Sequence, residues 1–202
     1  MKPQEIRNAI FQGKAIDWVK KLAQNESFKK ATGGNIPTGR MEDQDFVTRF
    51  MAFYLLGYEK YEPDLDNFMN TCLENINKGQ YSEEALNQME KDFTAAMNLA
   101  HDIFGEDAFR KRVSKDDNKK PINKAYFEVI AVTLAKLNEN ERQRLLEHRK
   151  SFKADLIQTM ANNKSYFNSF SGGTGRTDNV KRRFSEFYKI IQENIKNTKT
   201  TL

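Results

Sequence analysis

Apolar positions recur along most of this chain at spacings of three and four residues, the period of helices laid against a core. Near the N-terminus Ile6, Ile10 and Phe11 mark one face, and Ile16, Val19 and Leu22 mark a second, with Gly13 between them. Two short helices follow from this, with Ser27 as a candidate cap for one further turn. From Asp43 the pattern tightens. Phe46, Val47, Phe50, Met51, Tyr54, Leu55 and Tyr58 keep helical spacing while Ala52, Phe53 and Leu56 fill the other side, and a helix apolar nearly all round is a buried, central one. Beyond Pro63, Asp64 is placed to cap a helix closed near Gly79. Ser82 with Glu83 and Glu84 then opens a long helix striped by Leu86, Met89, Phe93, Ala96, Met97, Ala100 and Phe104.

The second half repeats the period. Pro121 opens a helix carrying Tyr126, Phe127, Ile130, Thr133, Leu134 and Leu137; another runs from Glu139 through Leu145, Arg149, Phe152, Leu156 and Met160; a last one bears Val180, Phe184, Phe187, Tyr188, Ile191 and Ile195. Two glycine-rich breaks interrupt the series, Ala31 to Arg40 and Ser171 to Thr177. No long alternating strand pattern and no internal repeat is present. The expectation is an all-α chain: a single helical domain over residues 1–202, of about seven to nine helices with two Gly-rich loops. Lobes 1–110 and 121–202 are joined in this reading by an exposed basic loop, 111–120.

Composition supports folding, since 38% hydrophobic residues, with fifteen Phe and seven Tyr among the aromatic ones, supply ample apolar surface. No apolar run approaches the roughly 20 residues of a membrane helix and the first residues lack a secretory signal's apolar centre, so a cytoplasmic protein without membrane contact is expected. Cys72 is the one cysteine. It lies beside Phe68, Met69 and Ile76 on an apolar helical face, which reads as core packing rather than a nucleophile. The net charge of +5 is modest but uneven. Arg110 to Lys124 holds seven basic and two acidic residues and Arg176 to Lys199 seven and three, whereas Glu42 to Asp66 holds seven acidic and two basic, and Glu83 to Asp107 seven and one. The molecule is expected to be polarised.

Candidate chemistry is sparse. His101 and His148 are the only histidines and no His or Cys cluster has metal-ligand spacing. No metal, cofactor or catalytic set is therefore expected. His101 and Asp102 point about 100° apart on a helix, too far to share one substrate easily. Glu42, Asp43 and Asp45 read as cap and dipole partners rather than magnesium ligands. The segment SFSGGTGRTDNVKRRF leads a glycine-rich turn into a helix, with Arg176, Lys181, Arg182 and Arg183 close by. It is not a Walker A loop, since no Lys-Ser or Lys-Thr pair follows the glycines. Two readings stand: Gly172, Gly173 and Gly175 with these cations contact a phosphate backbone, or the segment is a flexible loop with a solvated basic face. Lys111, Arg112, Lys119 and Lys120 are further candidates for phosphate contact. Arg49, between Phe46 and Phe50, requires a carboxylate partner, because a lone buried charge is costly.

The blocks QEIRNAI, RMEDQDFVTRFMAFYLLGY, LDNFMNTCLENIN, FTAAMNLAHDIFGEDAFR, NKAYFEVIAVTLA and SFSGGTGRTDNVKRRF, taken together and in this order, resemble the C-terminal helical half of domain-of-unknown-function family 262, which includes the GmrSD-type modification-dependent restriction enzymes. The resemblance spans nearly the whole chain. It implies a nucleic-acid-directed, defence-type setting in which a ParB and sulfiredoxin-related nucleotide-binding half precedes these helices and, in many members, an HNH nuclease domain follows. Neither is in this sequence, so the resemblance implies a fragment, a split gene or a reduced relative without the family's enzymatic residues. Gln4, Glu5, Arg7 and Asn8 match the segment after the nucleotide-binding half and would face that partner in cis or in trans. Arg40, Asp43 and Arg49 match an arginine, acid and arginine pattern and are assigned as a buried ion-pair group. The functional expectation is a noncatalytic helical module that scaffolds a nucleotide-binding partner and touches DNA phosphates. The alternative is a pure protein-protein scaffold.

Overall fold

The structure, a computed structural model, describes residues 2–196; Met1 and Lys199, the latter counted in the second basic stretch, lie outside them. Among the described residues there is no strand and there are eleven α-helices: α1 (Pro3–Ile10), α2 (Lys14–Ala23), α3 (Glu26–Thr32), α4 (Glu42–Leu56), α5 (Leu65–Asn77), α6 (Glu83–Phe104), α7 (Lys124–Ala135), α8 (Glu139–Glu147), α9 (Arg149–Asn162), α10 (Lys164–Asn168) and α11 (Thr177–Lys196). The class is all-α, with more helices than the seven to nine expected. Part of the surplus arises at His148, where ψ of 15° leaves the helical value and divides the helix expected from Glu139 onward into α8 and α9. Periodicity reports which residues face inward, and it is blind to a change of axis that keeps them inward.

Caps set most of the boundaries. Asp64 Oδ1 accepts the Asn67 N–H at 2.5 Å and Ser82 Oγ the Ala85 N–H at 3.2 Å. Two expected starts move. Asn25, not Ser27, caps α3 by accepting from Phe28 N at 3.2 Å. Asn123, not Pro121, caps α7 by accepting from Tyr126 N at 2.9 Å. An amide side chain satisfies the first-turn donors; a proline only tolerates the position.

α7 is the axis of the packing, and every residue from Ala125 to Ala135 is buried. It lies against α6, α4 and α11; α2 and α5 pack on α4, α3 packs on α6, and α8, α9 and α10 close the side formed by α11. The buried apolar residues of both halves belong to one cluster. Rings carry much of its interior. Phe127 meets Phe28, Phe46 and Phe109 edge-on at 5.7, 5.1 and 4.8 Å, and Phe53 touches Tyr61, Phe68 and Phe184. The expected lobes 1–110 and 121–202 thus share their core. Cys72 is fully inside it, and burial pushes its thiol up to about 12, the setting of an inert packing residue.

The N-terminal helix reverses its expected orientation. Ile6 and Ile10 are 42% and 66% exposed, whereas Gln4 and Arg7 are buried. The reason is electrostatic: α1 docks on α4 and α5 by delivering the Arg7 guanidinium to Asp45 and Asp66.

Candidate phosphate-facing surface and the ion network beneath it

Glu128 lies in the middle of α7 with no exposure. Its Oε2 accepts from Arg49 Nη1 at 3.2 Å, and its Oε1 accepts from Nη2 of Arg183, which is itself fully buried. Arg49 Nε donates to Asp45 Oδ2 at 3.3 Å. Asp45 in turn meets Lys124 Nζ at 2.9 Å and Arg7 Nη1 at 3.4 Å, and Arg7 continues to Asp66, Asn70 and Gln4. The chain runs from α11 through α7 and α4 to α1 and α5. Burial pushes the Asp45 carboxyl up, but Arg49, Lys124 and Arg7 more than reverse this and hold it below its ordinary value. Arg49 stays charged: burial works against its cation, and Glu128 and Asp45 outweigh burial.

Several assignments made from the residues alone change here. Arg183 faces the core rather than a phosphate, since Val180, Phe184 and Phe187 on the same helix carry it inward to Glu128. Arg40 is exposed and pairs with Glu5 at 3.6 Å, and Asp43 Oδ1 has no hydrogen-bond partner among the described residues, so the buried group around Arg49 is Asp45, Glu128 and Arg183 instead, with half-buried Lys124 at its edge. Gln4 and Arg7 are inside, which leaves Glu5 and Asn8 on the half-buried edge of α1; Asn8 Nδ2 donates to Gln44 at 2.6 Å. Glu128 was missed, although a lone acid in the apolar run AYFEVIAVTLA carries the same signal that singled out Arg49.

Above this network the glycine-rich turn is pinned from within. Arg183 Nη1 donates to the Thr174 carbonyl at 2.7 Å, Tyr61 Oη to that of Gly175 at 2.7 Å, and Asn179 Nδ2 to those of Gly172 and Gly173 at 3.1 and 3.0 Å. The N–H groups of Gly172 and Arg176 bond the Asn168 and Gly173 carbonyls. Gly173 has φ of 59°, and an added Cβ would come within 2.8 Å of the Arg176 side chain.

The two basic stretches touch. Lys111 Nζ donates to Ser171 Oγ at 2.6 Å and stands over the Phe167 ring at 4.8 Å; partial burial lowers its ammonium below the usual lysine value. Arg112 is bound to Asp107 and the Asp117 carbonyl, Lys119 to Glu106 at 2.8 Å, and Arg176 to Asp178 at 3.1 Å. Exposed Lys120 and Lys181 and half-buried Arg182 make no ion pair among the described residues.

Glu42, Asp43 and Asp45 open α4, and two of them are engaged by lysine, with Lys124 Nζ 3.1 Å from Glu42 and 2.9 Å from Asp45. Among the described residues no group of three or more His, Cys, Asp or Glu is placed to hold a metal ion, and no helix is long and apolar enough to cross a membrane. His101 Nδ1 is 3.5 Å from Asp102 Oδ1 and has no hydrogen-bond partner among the described residues. No family model, no curated protein and no solved structure matches the chain.

Proposed function

We propose that the chain is a noncatalytic helical module that contacts the phosphate backbone of DNA across the surface where the 111–120 loop meets the 171–182 segment. The supporting observation is the Lys111–Ser171 contact, which joins basic stretches sixty residues apart in sequence. Lys111, Lys181 and Arg182 are its cations without a carboxylate partner among the described residues; Lys120, near Asp117, and Arg112, Lys119 and Arg176, with salt bridges of their own, contribute less. Attraction of this kind is independent of sequence and releases counterions, so its affinity falls steeply with salt. The nucleic-acid direction and the defence-type setting rest on the likeness of the helical blocks to family 262, as does a nucleotide-binding partner at the α1 edge.

Fluorescence anisotropy with a labelled duplex tests the reading. Binding is expected at about 50 mM salt and lost by a few hundred millimolar, and Lys181→Ala/Arg182→Ala should weaken it and flatten the slope by about two. Undetectable binding at low salt, or unchanged binding by that variant, overturns it.

A second reading, a protein-protein scaffold, is favoured by one observation. Ile6 and Ile10 stand one turn apart on the outer side of α1 and are 42% and 66% exposed, an apolar pair that a partner domain would cover. Substituting both with Lys should abolish co-purification with that partner while leaving the duplex titration as it was.

A further inference from the structure

A cavity of about 390 Å³ lies where α6, the 110–115 segment, α7 and α9 meet, within the range of about 300–1,000 Å³ that holds drug-sized ligands. Phe104, Tyr126, Leu156 and Ile157 give it an apolar lining, and Arg110, Arg112, Lys115, Lys150 and Lys153 a cationic one. Asp107 is the single carboxylate, and Arg112 takes it. Arg110, Lys115, Lys150 and Lys153 make no salt bridge among the described residues, and Arg110 acts on the Glu106 carboxylate only at longer range.

Two of these groups are largely buried and reach the cavity only through their polar ends. Arg110 is 6% exposed; its Nε donates to the Glu106 carbonyl at 3.0 Å and its Nη1 to that of Lys120, while Nη2 has no hydrogen-bond partner among the described residues. The Glu106 carboxylate meets its charge only at longer range, and a buried guanidinium without a close counter-charge is costly. Tyr126 is 4% exposed and its hydroxyl likewise has no partner among the described residues; burial alone pushes that hydroxyl far above its ordinary value. Neither Arg110 Nη2 nor Tyr126 Oη is among the fully buried unpartnered atoms of the described residues, so both open onto the cavity, where they are free to bond a ligand.

We propose that this cavity binds a phosphate ester bearing a flat ring, of the class of a free nucleoside mono- or diphosphate. Three lysines without a salt bridge and Arg110 line the cavity, and its one carboxylate, Asp107, is already paired with Arg112, which leaves the site net cationic. The free Arg110 Nη2 and the clustered ammonium groups suit phosphate oxygens, and the half-buried Phe104 ring offers a ring of the ligand an aromatic surface. The proposal does not depend on the DNA reading, because its lysines are Lys115 and the α9 pair Lys150 and Lys153, and those of the outer surface are not among its lining residues.

Isothermal titration of the full chain with AMP, ADP, adenosine, ribose 5-phosphate and a 5′-phosphorylated octanucleotide tests it. AMP and ADP should bind one to one, adenosine and ribose 5-phosphate at least about tenfold more weakly, since each lacks one half of the recognition. Lys150→Gln/Lys153→Gln should weaken AMP by about tenfold or more with an unchanged circular dichroism melt. Lys115→Gln should act in the same direction, and Lys181→Ala/Arg182→Ala should have no effect on AMP. Absence of heat with both AMP and ADP at millimolar concentration overturns the proposal. So does adenosine binding as well as AMP, ribose 5-phosphate matching it, or indifference to the lysine variants. Tighter binding of the octanucleotide than of ADP through the same lysines overturns the assignment to a free nucleotide and gives the site to strand ends.

Discussion

Glu128 carries the largest single-residue consequence. It is the one acid that both Arg49 and Arg183 reach in the core, so Glu128→Ala leaves two buried guanidinium groups without their shared counter-charge. A loss of about 3–5 kcal/mol is expected in urea denaturation, in the range for breaking a buried ion pair by removing one partner. Glu128→Gln, which keeps an acceptor and the shape, should lose less. Asp45 makes the network sensitive to acid in a defined direction. Its folded carboxyl titrates below the ordinary value of about 3.9, so the unfolded chain takes the proton first. The stability it contributes is complete above about pH 5 and drains away as pH falls through the folded value. Asp45→Asn should flatten that part of the stability profile below pH 5. Arg49's need for a carboxylate was legible from its apolar neighbours; the identity of the partner was not. Glu128 is seventy-nine residues away in sequence, and only the crossing of α4 and α7 brings the two together.

Element boundaries show which local signals carry position and which do not. Asp64 and Ser82, side chains with a short acceptor before an apolar period, mark the starts of α5 and α6 as expected from sequence. Pro121 and Ser27 suggested starts that belong to Asn123 and Asn25, because the residue whose side chain reaches the third amide sets the cap. Asn123 does more than cap α7, because its Nδ2 donates to the Phe170 carbonyl at 3.0 Å and ties the entry of that helix to the turn after α10. Asn138 caps α8 through its Oδ1 and a reciprocal bond from its own N–H to Glu141, on the exposed side of that helix. Asn123→Ala is therefore expected to cost about 2 kcal/mol and Asn138→Ala about 1 kcal/mol, measured by denaturant midpoints at equal m-value. Equal losses would mean that the Phe170 bond contributes nothing. The inward turn of Gln4 and Arg7 on α1 was not legible in the same way, since the apolar residues Ile6 and Ile10 make the stronger periodic signal. An eight-residue helix takes its orientation from the acids it meets on α4 and α5, and those lie tens of residues away.

At the scale of the whole molecule, the halves expected on either side of the 111–120 loop are coupled through α7. The loop itself suggests separation, being polar and mostly exposed, and composition alone gives no means of seeing what packs across it. Its flanks argue the other way: Ala108, Phe109 and Arg110 are buried before it, Asn123 N bonds the Phe109 carbonyl at 3.0 Å after it, and α7 then enters between α4 and α6 from the first half and α11 from the second. Removing residues from 121 onward would uncover Phe28, Phe46 and Phe109, which pack on Phe127, and removing residues up to 110 would strip α7 of two of its three main neighbours. Neither half keeps enough buried surface to offset its chain entropy. Limited trypsin digestion separates this arrangement from two independent lobes. Cleavage should begin at Lys115 or Lys119, where the backbone is exposed, and the two fragments should still elute together on a sizing column and melt in one transition. Independent lobes would instead part on the column and give two melts.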